Sequence, residues 1–319
     1  MKYIAAACQI NIVQGDKQAN LKKALEMIDE AASQGAKVTV FPEYFLTWPP
    51  TSKMTPADID AMAEKIPGPS TNAIAKKCIE TKTYCVCGTM IEKCEDGKLR
   101  NTSAIIGPDG KVIGKYHKVQ PENAPAKYEP GSGIWPGNDL PVFDTPLGRW
   151  AVMVDMDVSN CEIPRSYGLL GADVIFAPIC WSAKFVPVIE TFTKASALYS
   201  HAYIVSANPV GWRKQIPVHA WAFAAKDQDE ANNIDLSYGG GSGIALGNNL
   251  IGKALNFTES IAYAVIDSEG PKASRANDAS IYPFWRRPDL YGELVKPASK
   301  QPYGTNVEHK VPTHIVPKD

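Results

Sequence analysis

No stretch of the 319-residue sequence approaches the roughly 20 consecutive apolar residues needed to cross a bilayer, which argues against a membrane protein. An excess of either charge is also missing: 33 Lys and Arg face 34 Asp and Glu, a net of −1. Nucleic-acid-binding chains carry a basic excess, so that class of partner is excluded. Histidine is scarce, and the five residues His117, His201, His219, His309 and His314 never approach one another at zinc-ligand spacing. No Cys-x-x-Cys pair is present either. Neither a metal nor a cofactor is expected.

The seven cysteines are an odd number, and Cys8, Cys85, Cys87 and Cys180 sit inside apolar runs, which is unlike a secreted disulfide framework. The apolar opening Met1–Ile10 is cut short by Gln9 and Asn11, with no processing site following, so no export leader is expected. The expectation is a cytoplasmic protein. With 45% hydrophobic and 21% charged residues the composition is that of an ordinary globular chain. At this length a fold buries roughly three quarters of the surface of its unfolded form.

Periodicity organises the chain. Residues 3–10 read as a strand, and Leu21, Ala24, Leu25, Ile28, Ala31 and Ala32 recur at helical spacing over 19–34, closed by Gly35. Strands are expected over 37–41, 84–90, 103–106 and 111–116, with a helix over 71–81 and a turn at Gly107-Pro108-Asp109-Gly110. Gly35-Ala36-Lys37-Val38 through Pro42 has a counterpart in Gly171-Ala172-Asp173-Val174 through Pro178. Both segments follow a helical pattern and enter a strand that stops at proline, which favours two α-β halves related by pseudo-twofold symmetry. Alternating helices and strands imply layered α/β architecture. From about Val295 polar residues dominate, with Val311, Ile315 and Val316 as isolated apolar points, so a tail and an inter-subunit arm both remain open. The glycines at 239–241 lack the Gly-Lys-Ser/Thr ending of a phosphate loop and read as a tight strand entry.

Three strand ends carry charge. Glu43 follows Phe41-Pro42, Lys118 follows Gly114-Lys115-Tyr116-His117, and Asp155 and Asp157 end the apolar run from Trp150 to Val154. Each alone reads as a solvated charge; together they look like a site, because ligand sites in α/β folds gather beyond strand ends.

At these residues the sequence resembles the nitrilase, or carbon–nitrogen hydrolase, superfamily over nearly its whole length. Phe41-Pro42-Glu43 resembles the family's strand-end glutamate. Asn101 through Gly110, then Gly114 to Lys118, resembles the hairpin leading to its lysine, and Phe143 to Arg149 the strand before its nucleophile. Gly240-Gly241-Ser242-Gly243-Ile244 and Arg287-Pro288-Asp289-Leu290-Tyr291 resemble later family segments. The resemblance implies a four-layer α-β-β-α sandwich and a glutamate, a lysine and a cysteine nucleophile, with Glu43 as base and Lys118 stabilising an oxyanion. Its additional glutamate falls on Glu129, with Glu122 as the alternative.

The cysteine is absent. Asp157, Glu162, Arg165 and Gly171-Ala172-Asp173 match the family's downstream anchors without a gap, and this register puts Asp155 on the nucleophile position. Cys161 lies six residues further on, and using it would break all four anchors. An aspartate near its reference pKa of about 3.9 is ionised at neutral pH and leaves Glu43 no proton to remove. Asp155 is therefore expected to pair with Lys118 or share a proton with Glu43. His117 stands where family members commonly carry arginine, Gln120 where many carry histidine, and Tyr199 and Ser200 replace a Glu-Asn pair. Trp181, Tyr44 and Asp157 are candidate substrate-binding residues. For Trp181, as for Phe45 and Trp48, core filling is the alternative.

The resulting expectation is a single domain over 1–294 with an extension over 295–319. It is of carbon–nitrogen hydrolase lineage, acts on a small amide, nitrile or carbamoyl compound, and assembles as a homodimer or larger homo-oligomer. Ordinary turnover is expected to be absent or altered at Asp155. The competing reading is a non-catalytic protein binding a ligand or partner on the same scaffold.

Overall fold

The computed structural model describes residues 1–51, 54–121, 129, 133–217, 233–277 and 286–295. In chain order the elements are β1 (Lys2–Gln9), α1 (Lys17–Ser33), β2 (Ala36–Val40), α2 (Pro56–Met62), α3 (Pro69–Thr81), β3 (Tyr84–Val86), β4 (Met90–Lys93), β5 (Leu99–Ile106), β6 (Val112–His117) and β7 (Ile134–Trp135). They continue with β8 (Phe143–Thr145), β9 (Gly148–Val152), α4 (Glu162–Leu169), β10 (Val174–Pro178), α5 (Val186–Ser200), β11 (Tyr203–Ala207), β12 (Val210–Pro217), β13 (Asn233–Gly239), β14 (Gly243–Leu246), β15 (Asn249–Lys253), β16 (Ser260–Asp267) and α6 (Glu269–Asn277).

Local chemistry accounts for the boundaries. Asp16 caps α1 by accepting from the Ala19 amide at 2.9 Å, and Gly35 ends it in the left-handed region at φ +83°. Helix α2, which apolar periodicity does not announce, is held by a reciprocal Thr55–Asp58 capping box and a proline in its first turn. The strand expected over 84–90 is two strands, β3 and β4, because the chain turns at Gly88 (φ +43°). The anticipated hairpin turn separates β5 from β6, with the Gly110 amide donating to the Gly107 carbonyl at 2.9 Å.

Two sheets carry the fold. One runs β16-β1-β2-β3-β5-β4, with β6 and β7 joined to β5; the other runs β15-β14-β11-β10-β9-β8. In each, three parallel strands form the centre (β1-β2-β3 and β9-β10-β11) and antiparallel strands flank them. The repeated Gly-Ala segments enter β2 and β10, the middle strand of each trio, so the sequence echo marks equivalent places in two halves. Strands buried on both faces read as continuous apolar runs, and Val174-Ile175-Phe176-Ala177 is one.

The sheets face each other across one core: Ala5, Ala7, Val38, Val40 and Val86 pack with Trp150, Val152, Val174, Phe176 and Val205. Helices α1 and α3 cover the outer face of the first sheet through Leu21, Ala24, Ile28, Ile74 and Cys78. Helices α4 and α5 add Ile163, Tyr167, Ile189 and Ala197 to the second. The result is the expected α-β-β-α sandwich. The hairpin β12-β13 forms its own two-stranded sheet, and Gly240 and Gly241 link it to β14 with φ of +72° and +88°.

Met1–Lys272 form one compact unit and Ala273–Asp319 a second. In the latter the described residues include two short 3-10 turns, Pro288–Leu290 and Gly292–Val295, and an Arg287–Asp289 ion pair at 2.6 Å. Apart from Val295, the expected extension over 295–319 lies outside the described residues, including Val311, Ile315 and Val316. No helix among the described residues is long and apolar enough to cross a membrane.

Candidate functional site

The site is assembled from the ends of strands. Glu43 follows β2, its amide donating to the Ile179 carbonyl just past β10 at 3.2 Å, so the two sheets are tied together at this point. Lys118 follows β6; its amide donates to the Asn101 carbonyl at 3.0 Å and its carbonyl accepts from the Gly137 amide at 2.8 Å. A β-carbon at residue 137 would run into the backbone of His117, so only glycine lets that segment approach so closely. Asp155 opens a 3-10 turn (Asp155–Ser159) directly after β9.

These residues meet at one buried point. Lys118 Nζ lies 2.9 Å from Glu43 Oε1, 3.0 Å from Glu129 Oε2 and 3.1 Å from Asp155 Oδ2, and none of the four side chains is more than 6% exposed. Of the two glutamates left open by the sequence, Glu129 joins the group; Glu122 lies outside the described residues. Asn101 donates from Nδ2 to both Glu43 Oε1 (2.8 Å) and Glu129 Oε1 (2.7 Å), and Tyr44 donates its hydroxyl to Glu129 Oε1 at 2.7 Å. Tyr44 and Asp155 both have φ of +51°, a region that non-glycine residues seldom occupy and that clusters where a fold constrains a functional position.

Charge decides the protonation. The Lys118 ammonium donates to Glu43 and Asp155, and Glu129 adds a third carboxylate at ion-pair distance. With every group ionised the cluster would carry an excess of two negative charges in a dry environment. Burial and then the Asp155 carboxylate push Glu43 well above the usual carboxylate range, against the pull of Lys118. Burial works against the Lys118 ammonium, but Asp155, Glu129 and Glu43 outweigh it and hold the group charged. Protonation of Glu43 is therefore the change that would relieve the crowding.

The candidate substrate-binding residues are placed as follows. Tyr44 is fully buried and directs its hydroxyl at Glu129. Asp157 is fully buried: Oδ2 accepts from the Tyr116 hydroxyl and the Val154 amide, both at 2.7 Å, and Oδ1 from the Gln120 amide at 2.9 Å. Burial pushes its pKa up to about 7, and these donors oppose the rise. Asp157 thus braces the turn carrying Asp155 against the segment after Lys118. Trp181 is half-buried, with its ring against Phe185 and Phe192 at 6.0 and 5.8 Å between centroids. Cys161 is exposed at the start of α4, where burial and then Glu162 raise its thiol pKa.

Two neighbours were missed by sequence reasoning. Asn101 joins Glu43 to Glu129; its signal was the polar run Asn101-Thr102-Ser103 just before the apolar end of β5. Cys180 is buried, and its amide donates to Asp155 Oδ1 at 3.4 Å. Its thiol pKa is raised well above the ordinary value by burial, then by Glu43 and Asp155.

Among the described residues Glu92, Cys94 and His117 bring possible metal-ligand atoms within 4.8 Å of one another. Glu92 already holds Lys115 at 2.5 Å and His117 at 3.1 Å, and a cation there would have to displace the lysine.

Comparison with known proteins gives the family of the chain. The family model "Carbon-nitrogen hydrolase" matches residues 4–275. The chain is 30% identical over 246 residues to human omega-amidase NIT2, covering 72% of this chain and 86% of that protein. It is 31% identical over 240 residues to omega-amidase NIT2-B of Xenopus laevis, covering 70% and 85%. Among solved structures, a carbon-nitrogen hydrolase from Helicobacter pylori G27 superposes with a TM-score of 0.78 at 20% identity, over 93% of this chain and 99% of the other. An amidase from Nesterenkonia sp. does so at 0.68 and 17% identity, over 92% and 96%. With the family match spanning both sheets and all four residues of the buried cluster, this chain belongs to the carbon–nitrogen hydrolase family.

Proposed function

We propose that the protein derives from a hydrolase of small amides, nitriles or carbamoyl compounds, with Glu43, Lys118 and Glu129 as the inherited frame and Asp155 where the nucleophile stands. Thioester-forming turnover is then absent or very weak in this chain. The observation that carries the reading is the crowding of Lys118: Glu43, Glu129 and Asp155 all lie within 3.1 Å of its ammonium, which donates to Glu43 and Asp155. An oxyanion formed from a substrate carbonyl would have to compete with these carboxylates for Lys118, and the raised pKa of Glu43 leaves less of it in the basic form. Asp155 is itself a poor attacker of an unactivated amide, and its product would be an anhydride. A solved amidase of this fold from Nesterenkonia sp. is described as undergoing Michael addition of acrylamide at its active site cysteine.

The same crowding favours a second reading, in which the pocket binds a ligand without turning it over. Ammonia release from a panel of small amides, ureido acids and nitriles separates the two. Asp155→Cys returns one donor to Lys118 and a proton for Glu43 to remove, and is expected to release ammonia where the parent chain does not. Silence of both proteins across the panel would favour the binding protein. Release by the parent alone would refute the proposed roles.

A further inference from the structure

Donor atoms of three kinds gather where β4, β5 and β6 lie side by side. Strand β4 supplies Glu92, the turn after it Cys94, and the end of β6 His117. Strand β5 runs between them, with Arg100 opposite Glu92 and Thr102 opposite His117. Residues two apart on a strand share a face, so Glu92, Arg100, Thr102, Lys115 and His117 all stand on one side of the sheet. A carboxylate oxygen of Glu92, the Cys94 thiol and a His117 ring nitrogen come within 4.8 Å of one another. His117 Nε2 lies 3.1 Å from Glu92 Oε2, while Lys115 donates to the other oxygen, Oε1, at 2.5 Å.

The set has the make-up of a zinc site. Zn²⁺ takes thiolate, imidazole and carboxylate ligands at about 2.0–2.3 Å in tetrahedral geometry, so the ligand atoms stand about 3.5 Å apart. The Glu92–His117 contact is already that close. Closing the rest takes a shift of about 1 Å, which side-chain rotation at Cys94 and His117 supplies. One thiolate and one carboxylate neutralise the dication, and the imidazole adds an uncharged third ligand. Arg100 stands beside Cys94, but its charge is matched by Asp96, to which it donates twice, at 2.9 and 2.6 Å.

Lys115 is the competitor. Its side chain is 35% exposed and can swing into water, whereas Glu92, at 2%, stays in place. Cys94 and His117 are half-buried, which leaves an ion a way in. His117 is also a departure from the family pattern. The arginine common at that position could pair with Glu92 but has no lone pair to give a metal.

We propose that Glu92, Cys94 and His117 form a three-ligand Zn²⁺ site, with water as the fourth ligand and Lys115 as the cation that the metal replaces. On binding, the Cys94 thiol gives its proton to solvent and the Lys115 ammonium turns out to water. The ion then clamps the β4–β5 turn to the end of β6, one residue before Lys118. The site is separate from the lysine–carboxylate cluster and does not depend on the function proposed above.

Titration of the full chain with Co²⁺, followed by absorbance under a thiol-free reductant, tests this. One equivalent is expected to bring up a near-ultraviolet thiolate-to-cobalt charge-transfer band and the visible bands of a tetrahedral ion, and Zn²⁺ is expected to displace it. Cys94→Ser is expected to abolish the charge-transfer band. His117→Arg, which keeps a partner for Glu92 and so spares the fold, is expected to weaken binding about tenfold or more. Lys115→Met removes the competing cation and is expected to tighten binding several-fold. A band that survives Cys94→Ser would put the metal on another thiol, such as the exposed Cys161, and overturn the proposal. So would the lack of a band in the parent chain, full affinity in His117→Arg, or unchanged or weaker binding in Lys115→Met.

Discussion

Replacing Asp155 by Asn removes one negative charge from the buried cluster while nearly conserving shape, and its effect on stability must depend on pH. Glu43 Oε1 and Asp155 Oδ2 lie 2.9 and 3.1 Å from the same Lys118 nitrogen, so they can be no more than about 6 Å apart. Two carboxylates at that distance repel by about 3 kcal/mol at an effective dielectric constant of about 20. Glu43 has a raised pKa in the folded protein, so the folded state binds more protons than the unfolded state. Stability then falls as pH rises above the unfolded value near 4.5, by up to about 1.4 kcal/mol per pH unit, until Glu43 ionises. With Asn at 155 that repulsion is gone, Glu43 ionises earlier, and the decline stops sooner. Urea unfolding of both proteins at intervals from pH 5 to 9 reads this directly. The variant is expected to gain on the parent as pH rises, by up to about 3 kcal/mol, whatever their offset at pH 5. Asp157 also titrates in this range but is present in both proteins, so it cancels from the difference. Parallel curves would refute the reasoning and with it the placement of a proton on Glu43.

Two further outcomes follow from the same geometry. Lys118→Met leaves three buried carboxylates without their cation and is expected to cost about 3–5 kcal/mol in urea unfolding at pH 7. Adding Asp155→Asn to it should recover part of that loss, and strict additivity of the two changes would contradict the cluster. Tyr116→Phe removes the 2.7 Å bond to Asp157 and is expected to cost about 1.5–3 kcal/mol at pH 8, where the carboxylate is charged. The loss should shrink at pH 5, where Asp157, with its pKa near 7, is protonated; an equal loss at both pH values would remove Asp157 from the account.

Much of this site was legible because strand ends are written in local chemistry. Apolar runs closed by proline or a charge located β2 and β9, a glycine-proline turn located β6, and the residues just beyond these strands, Glu43, Lys118 and Asp155, are those that meet. Glu129 was readable only through a family resemblance, since no periodic pattern precedes it. Asn101 looks like one polar residue in a hairpin until the fold brings its amide between two carboxylates. Asp157 and Tyr44 look like ligand contacts because they neighbour the charged residues. Their polar atoms instead bond to the protein, one bracing a turn and the other directed at Glu129. Helix α2 was not legible because its signal is a capping box, not an apolar stripe.

The sequence by itself determined the layered alternation of helices and strands, the echo between the two halves and the absence of a cysteine at position 155. Those properties reside in neighbouring residues and their spacing. Only the tertiary structure decided that three carboxylates converge on one ammonium. Only the fold showed that a bulge in β12 buries Arg213 while exposing Lys214 and Gln215. The first brings together Glu43 and Lys118, 75 residues apart, and the second seats Arg213 on Pro49, 164 residues away. Distance and burial between such groups are set by how the two sheets and the hairpin pack, and periodicity along the chain carries no record of them.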